Sequence, residues 1–337
     1  MTESADVLVL GLGPAGASAA AEAARAGCKV IALERKRAAG IPVQCAELVP
    51  AIMEVDAAAV RQKVASMATF VEDDAPDMKA DFPGCMLDRA AFDQSLVAQA
   101  AHAGADIRLS CFVKKMTPQG VVELADGSSL QARVVIGADG PRSRAGRAIG
   151  AVNAELVETR QVTVELREPS GATDIFLSAE IPGGYGWLFP KGERANLGAG
   201  VSPQYKGRLK SIVARLHHSQ LGRVRAEVLS LTGGAIPVGG MLKPWGHLQD
   251  TLVLLAGDAA GLPNPVTGAG IAAALHSGRL AGQAAASGKY EDYEEELDDV
   301  YRAALERALS RRKELLNSRA DKAALRRSWI AYPEYWQ

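Results

Sequence analysis

Two kinds of apolar patterning divide the chain. Between Asp6 and Glu34, a continuous apolar run (Val7 to Leu10) leads into a glycine turn, an alanine-rich stretch ending near Gly27, and a second apolar run finishing at Glu34. Continuous rather than alternating apolar residues mark strands buried on both faces, so this is a strand–helix–strand unit of the required length, about 30 residues. Comparable runs precede Gly137-Ala138-Asp139-Gly140 and Gly257-Asp258, the second followed by a Pro/Gly turn and a small-residue helix from about Gly268. From Val152 to Trp245 the pattern changes to alternation: "RQVTVELRE" and "DIFLSAEIPG" read as antiparallel strands with one face covered. Beyond Gly288 acids come early and bases late, as suits a helix dipole, with Leu297, Tyr301, Leu305 and Leu309 on one stripe.

Composition narrows the class of protein. With 337 residues, 48% of them hydrophobic and 23% charged, the chain fills one large domain or two closely packed ones. A net charge of −1 gives no long-range attraction to nucleic acid. Cys28, Cys45, Cys85 and Cys111 stand far apart with no C-x-x-C pair, so no metal site or redox dithiol is expected. The N-terminus runs directly into the glycine turn without the features of a signal peptide, and no apolar run reaches the ~18 residues of a membrane span. A cytoplasmic protein is expected, with peripheral membrane contact left open.

The chemistry of the first turn is that of a dinucleotide site. Gly11 permits the tight turn, Gly13 lets the backbone approach a pyrophosphate and Gly16 allows close helix–strand packing. Glu34 falls where a carboxylate binds a ribose hydroxyl. FAD and NAD(P) share this fingerprint, and the later segments favour FAD. An aspartate at the carboxyl end of a central strand, as at Asp139 and Asp258, accepts from ribityl hydroxyls, and the following helix N-terminus can stabilise a reduced flavin ring.

"GGYGWLFPK" concentrates aromatics in a chain where only 5% of residues are Phe, Trp or Tyr, and Tyr185 and Trp187 read as the wall of an apolar pocket. Glu47 reads as a solvated surface carboxylate, the alternative being an acid whose pKa burial raises. "NLGAGV" has glycines but no following helix pattern, so a second nicotinamide unit is missing. Any NAD(P)H docks transiently, or the electron donor is a protein.

Taken in order, the three glycine and aspartate segments resemble the signatures of the FAD-dependent para-hydroxybenzoate hydroxylase superfamily, over roughly Asp6 to Gly282. Within it, "IPVQCAELVP", "MLDRAAFDQSLVAQAAHAGADI", "GGYGWLFPK" and "GDAAGLPNPVTGAGI" resemble motifs of the geranylgeranyl reductase family. The resemblance implies a Rossmann-like FAD-binding domain, discontinuous over 1–150 and 246–288, an antiparallel-sheet substrate domain over 151–245 and a C-terminal helical segment over 289–337. It implies saturation of prenyl carbon–carbon double bonds with electrons from NAD(P)H or a ferredoxin-like donor. Cys45 would lie near the isoalloxazine ring as the first candidate proton source, with Tyr185 second, and Tyr185 and Trp187 would line the substrate pocket. FAD contacts would come from Gly11, Gly13, Pro14, Ala15, Gly16, Glu34, Arg35, Cys45, Ala46, Arg89, Val113, Asp139, Gly257, Asp258, Gly268, Ala269, Gly270 and Ile271. Two departures stand out: Ala46 where the family shows glycine, and only about 50 residues beyond Gly288. Three other readings share the fold: a relative acting on a lipoyl or acyl substrate, an oxygen-using monooxygenase or halogenase, and a non-catalytic flavin-bound scaffold whose closing aromatics bind a partner or membrane.

Overall fold

The computed structural model describes residues 2–317 and 321–329, apart from Ile52 and Glu54. It divides into two compact units. The first comprises the chain up to Ile41, Ala90–Glu155 and Pro237–Glu306; the second comprises Pro42–Arg89, Leu156–Ile236 and the chain from Arg307. Residues 42–89, which the sequence reading assigned to the dinucleotide domain, thus count with the antiparallel sheet.

In the first unit the sheet order is Trp245–Leu248, Thr251–Leu255, Ser129–Gly137, Glu3–Leu10, Val30–Leu33, Asp106–Arg108. Along this path all neighbours are parallel except the Trp245–Leu248 hairpin edge; Val122–Leu124 and Val113–Met116 add antiparallel pairings beside Ser129–Gly137. The strand earliest in sequence is central, and the chain winds away from it in both directions, the doubly wound arrangement. Val7–Leu10 are buried on both faces, which explains their unbroken apolar run.

Helices Pro14–Arg25 and Ile271–Ser287 pack by the absence of side chains. A Cβ on Gly278 would fall 2.2 Å from the Ala15 carbonyl oxygen, and one on Gly282 would fall 2.5 Å from that of Ala19. Ala15 faces Gly278 and Ala19 faces Gly282, so the helices run parallel. The later helix therefore begins about six residues further back, ~9 Å at 1.5 Å per residue. It starts at Ile271; residues 264–270 form a loop closed by Asn264, whose Oδ1 accepts from the Val266 and Thr267 N–H groups at 2.9 and 3.0 Å.

In the second unit the sheet order is Val224–Thr232, Leu156–Leu166, Arg194–Val201, Gly186–Lys191, Ala172–Leu177, Ser66–Val71, Asp77–Lys79. Period-two alternation gives it two chemically distinct faces. Leu188, Leu197, Ala199 and Val201 turn to one side, against Leu209, Ile212 and Val213 of helix Leu209–Ser219. Trp187, Phe189, Gln161, Thr163, Asn196 and Gly198 turn to the other.

The expected C-terminal stripe is interrupted by one wide helical turn, Asp298–Arg302, between helices Tyr290–Leu297 and Ala303–Asn317. Leu297 and Leu305 join the core of the first unit. The last described helix, Lys322–Ser328, is capped by Asp321 and packs on strand Ser66–Val71. Lys322 pairs with Asp73 and Asp74 at 2.6 Å, and Arg326 with Asp74 at 2.8 Å and Asp77 at 3.2 Å. Of the closing aromatics, Trp329 is described; Tyr332, Tyr335 and Trp336 lie outside the described residues.

Candidate active site

In the first unit, Leu10 pairs with Gly137 and Gly137 with Leu255. The three connections that follow, at Gly11, Asp139 and Asp258, therefore leave one sheet edge side by side. That edge is the carboxyl end of the strands where winding reverses, the usual ligand crevice of an open α/β sheet.

The turn fits a pyrophosphate. Gly11 has φ +92°, and a Cβ there would meet the Ala138 carbonyl oxygen at 2.4 Å. A Cβ on Gly16 would come within 1.8 Å of the Gly11 carbonyl oxygen, so helix and turn touch directly. A Cβ on Gly13 would meet nothing within 4 Å, so the backbone beside the helix start faces open space. The helix N-terminus also leaves N–H groups without intrahelical partners. The residues present therefore fit a dinucleotide.

The carboxylates of the site are oriented by backbone. Glu34 is buried; its Oε2 accepts from the Leu12 N–H at 3.0 Å and its Oε1 from the Lys36 N–H at 2.9 Å. Each oxygen keeps a lone pair for a ribose hydroxyl. Arg35 beside it is exposed. Asp139 accepts from the Ser143 hydroxyl and, at 2.6 Å, from the Arg144 N–H. Burial pushes its carboxyl up and those bonds oppose the shift. The carbonyl of Asp258 accepts from Asn153 Nδ2 at 2.9 Å, while the buried Asn153 Oδ1 has no hydrogen-bond partner among the described residues. Gly257 has φ +60° and donates its N–H to Ser277 Oγ at 3.0 Å. Gly268 (φ +70°), Ala269 and Gly270 lead into the Ile271 helix start. Val113 opens a short edge strand, half-buried.

In the second unit, register builds the site. Gln161, Gly198 and Trp187 stand in one row across three neighbouring strands, and Thr163, Asn196 and Phe189 in the next row on the same face. The Trp187 indole lies over Gly198, where a Cβ would be 2.5 Å from Cζ2, and its Nε1 donates to Gln161 Oε1 at 2.9 Å. Tyr185 packs edge-on against Trp187, with ring centroids 5.8 Å apart, and against Trp329 at 5.0 Å. Burial pushes the Tyr185 hydroxyl well above its ordinary range, with the nearby Cys45 thiol adding to it.

The Cys45-Ala46-Glu47 segment is fastened to this face. Gln161 Nε2 donates to the Cys45 carbonyl at 3.1 Å and Asn196 Nδ2 to that of Ala46 at 3.3 Å. The Glu47 N–H donates to Cys45 Sγ at 3.2 Å, a turn that sets Glu47 at φ +72°. The reading of Glu47 as a solvated surface carboxylate is corrected here: it is 3% exposed. It accepts from Lys191 Nζ at 2.8 Å on both oxygens, from Asn196 Nδ2 at 2.8 Å and from the Arg89 N–H at 3.0 Å. A buried carboxylate persists because a cation and two further donors replace its water.

The sequence-predicted residues therefore form two groups. The glycines, Glu34, Arg35, Val113, Asp139, Asp258 and Ile271 belong to the first unit; Cys45, Ala46, Arg89, Tyr185 and Trp187 belong to the second. Gln161, Asn196, Lys191 and Trp329 were missed. A local signal existed for one: Asn196 and Gly198 of "NLGAGV" alternate, as a strand facing the Trp187 strand requires.

Comparison with known proteins now settles the family. The model of the geranylgeranyl reductase catalytic domain matches residues 156–236, the sheet that carries Gln161, Trp187 and Asn196, and that of lycopene cyclase protein matches residues 6–169. The chain is 36% identical to digeranylgeranylglycerophospholipid reductase 2 of Methanopyrus kandleri over 315 residues, covering 85% of this chain and 78% of that protein. The chain belongs to the geranylgeranyl reductase family. A second relative, digeranylgeranylglycerophospholipid reductase 1 of the same organism, is 34% identical, with 89% of each chain covered. A geranylgeranyl bacteriochlorophyll reductase-like protein from Thermoplasma acidophilum superposes with a TM-score of 0.83 at 26% identity, covering 96% of this chain and 90% of that one. The myxobacterial chondrochloren halogenase, 18% identical with a TM-score of 0.71 over 98% and 87% of the chains, shares the fold. As a geranylgeranyl reductase family member the protein is a flavin-dependent oxidoreductase. No helix among its described residues is long and apolar enough to cross a membrane.

Proposed function

We propose that this protein saturates carbon–carbon double bonds in the prenyl chains of a lipid, with FAD as cofactor and NAD(P)H or a ferredoxin-like protein as electron donor. One observation carries the reading: Cys45 is pinned by sheet amides on the same face as the aromatic wall of Tyr185 and Trp187. Membership of a family whose relatives are named for digeranylgeranylglycerophospholipid supports the substrate class.

An isolated alkene has no carbonyl to polarise, so its reduction depends on positioning, dryness and a nearby proton. Gly11, Gly13, Pro14, Ala15, Gly16, Glu34, Arg35, Asp139, Gly257, Asp258 and the 268–271 turn would hold FAD, with Ala46, Arg89 and Val113 as further contacts. When bound, FAD supplies the hydride equivalent for one alkene carbon. Cys45 gives its thiol proton to the other, and solvent reprotonates the sulfur. The Glu47 N–H that already faces Sγ stays in place to bond the thiolate left behind. Tyr185, its hydroxyl pushed up by burial, remains protonated through neutral pH and serves as donor, never as base. Trp187 and Trp329, both buried, exclude water beside it.

The test is anaerobic reduction of the FAD-loaded protein by NADH, NADPH or reduced ferredoxin, then mixing with a geranylgeranyl glycerophospholipid. Flavin reoxidation should accompany a mass gain of two hydrogens per saturated bond. Reoxidation by lipoyl compounds and not by prenyl lipids would overturn the substrate; a flavin that no donor reduces would overturn the enzyme reading.

A further inference from the structure

Gln161 lies in the alternating stretch "RQVTVELRE" with no role expected of it, yet both ends of its amide are committed. It is 6% exposed, accepts from the Trp187 indole at 2.9 Å and donates to the Cys45 carbonyl at 3.1 Å. The span is open because the residue between Gln161 and Trp187 in the row is Gly198, where any Cβ would strike the indole ring at 2.5 Å. One row along, Asn196 does the same for the next peptide: Oδ1 accepts from Thr163 Oγ1 at 3.2 Å and Nδ2 donates to the Ala46 carbonyl and to Glu47. Two successive carbonyls are thus registered on the sheet by two side-chain amides.

Packing alone does not call for a glutamine at 161, since methionine fills nearly the same volume. A side-chain amide presents an acceptor to the indole and a donor to the carbonyl at once, and a thioether supplies no donor. The bond also reaches the sulfur through the chain: Gln161 fixes the Cys45 carbonyl, and the turn at Glu47 directs its N–H onto Sγ. We infer that Gln161 is a positioning residue, which ties the Cys45 peptide to the Trp187 indole and thereby holds the thiol at a set place relative to the aromatic wall. A displacement of about 1 Å at a reacting group lowers rates on the order of 10²-fold. The inference rests on Cys45 as the proton source of the proposed reduction.

The test uses the FAD-loaded protein, Gln161→Met, Trp187→Phe and their double variant, with two readouts. In the first, single-turnover reoxidation of the reduced flavin by a geranylgeranyl glycerophospholipid should slow by roughly 10- to 100-fold in Gln161→Met. Lipid affinity should stay within about twofold. In the second, alkylation of Cys45 by iodoacetamide, resolved by peptide mass spectrometry, should change in Gln161→Met and in Trp187→Phe. Cys85, in the same unit, should keep its rate and report an intact fold. The double variant should react like either single one, as expected for two residues in one linkage. An unchanged Cys45 alkylation rate, additive effects, or equal losses of rate and affinity would each overturn the inference. If no prenyl lipid reoxidises the wild type, the function proposed above fails, and the alkylation series still decides the role of Gln161. Should Gln161→Met not fold, Trp187→Phe, which removes the indole N–H together with part of the ring over Gly198, carries the alkylation test, with an unchanged Cys45 rate overturning the inference.

Discussion

Both units depend on glycine, for opposite purposes. In the nucleotide-type unit a missing Cβ lets backbone meet backbone: Gly16 against the Gly11 carbonyl, Gly278 against that of Ala15. In the antiparallel unit Gly198 makes room for a side chain, the Trp187 indole, to cross it and bond Gln161. Close backbone contact fixes where helix termini point, and so shapes the turn at the strand ends. Room for an aromatic ring fixes a side-chain network, and so shapes an aromatic wall and the place of the Cys45 peptide beside it. The first device leaves a dense local motif in sequence; the second leaves single residues on strands far apart.

The contrast can be broken at either end. Cys45→Ala should leave FAD bound and slow reoxidation by about 10²- to 10⁴-fold, the span typical of a lost proton donor. Stopped-flow absorbance reads this directly, and an unchanged rate removes Cys45 from the chemistry. Next in size, Lys191→Met strands the Glu47 carboxylate with its remaining donors but no cation. Loss of one partner from a buried pair costs about 3 kcal/mol or more, measured by denaturant unfolding. The double change Lys191→Met with Glu47→Gln should recover part of that loss, because no charge is then buried. A result in which the double variant is no better than the single one would show that volume, not charge, holds the segment.

In the other unit, Gly278→Ala places a methyl against the Ala15 carbonyl and should cost about 1–3 kcal/mol while weakening FAD binding. Thermal shift with and without added FAD separates the two effects. Enzyme that keeps wild-type FAD affinity would show that the helix pair is not part of the cradle's geometry.

The smallest effect is expected at the C-terminal clamp. Lys322 and Arg326 hold the Asp74 carboxyl below its ordinary range, and Lys322 does the same for Asp73. Depressed carboxylates contribute docking that is full above the ordinary aspartate range, near pH 4, and that is lost as pH falls through the folded values. Asp73 is exposed and the other three groups are partly so, and salt therefore weakens the clamp as well. Trp329, which follows the clamped helix and packs on Tyr185, should report a modest fluorescence change between 0.1 and 1 M salt (about 10 and 3 Å of screening length) and again below about pH 4. Spectra insensitive to both would mean that apolar packing alone seats the helix.

The doubly wound sheet was legible because each of its signals is local: apolar run, glycine turn, acid at the strand end. Strand order, the parallel helix pair and the start of the later helix at Ile271 were not, since they depend on strand pairing, on which glycine meets which carbonyl, and on the loop that Asn264 closes. Tyr185 and Trp187 stood out as aromatics in an aromatic-poor chain, and Cys45 through the resemblance of "IPVQCAELVP" to a family motif. Glu47 was misread because its solvation depends on Lys191 and Asn196, about 150 positions away, and no local pattern marks a carboxylate whose counter-ion lies on another strand.

By itself the sequence determined the dinucleotide turn, the two later aspartates, the family and the aromatic signature, all of which are contiguous and need no partner to be recognised. Only the tertiary structure decided that Gln161, Gly198 and Trp187 share a row, that Glu47 is buried and paired, and that Trp329 closes on Tyr185. The physical reason is register: antiparallel pairing brings together residues tens of positions apart. Whether a polar side chain is solvated, paired or positioning another group depends on its neighbours in space.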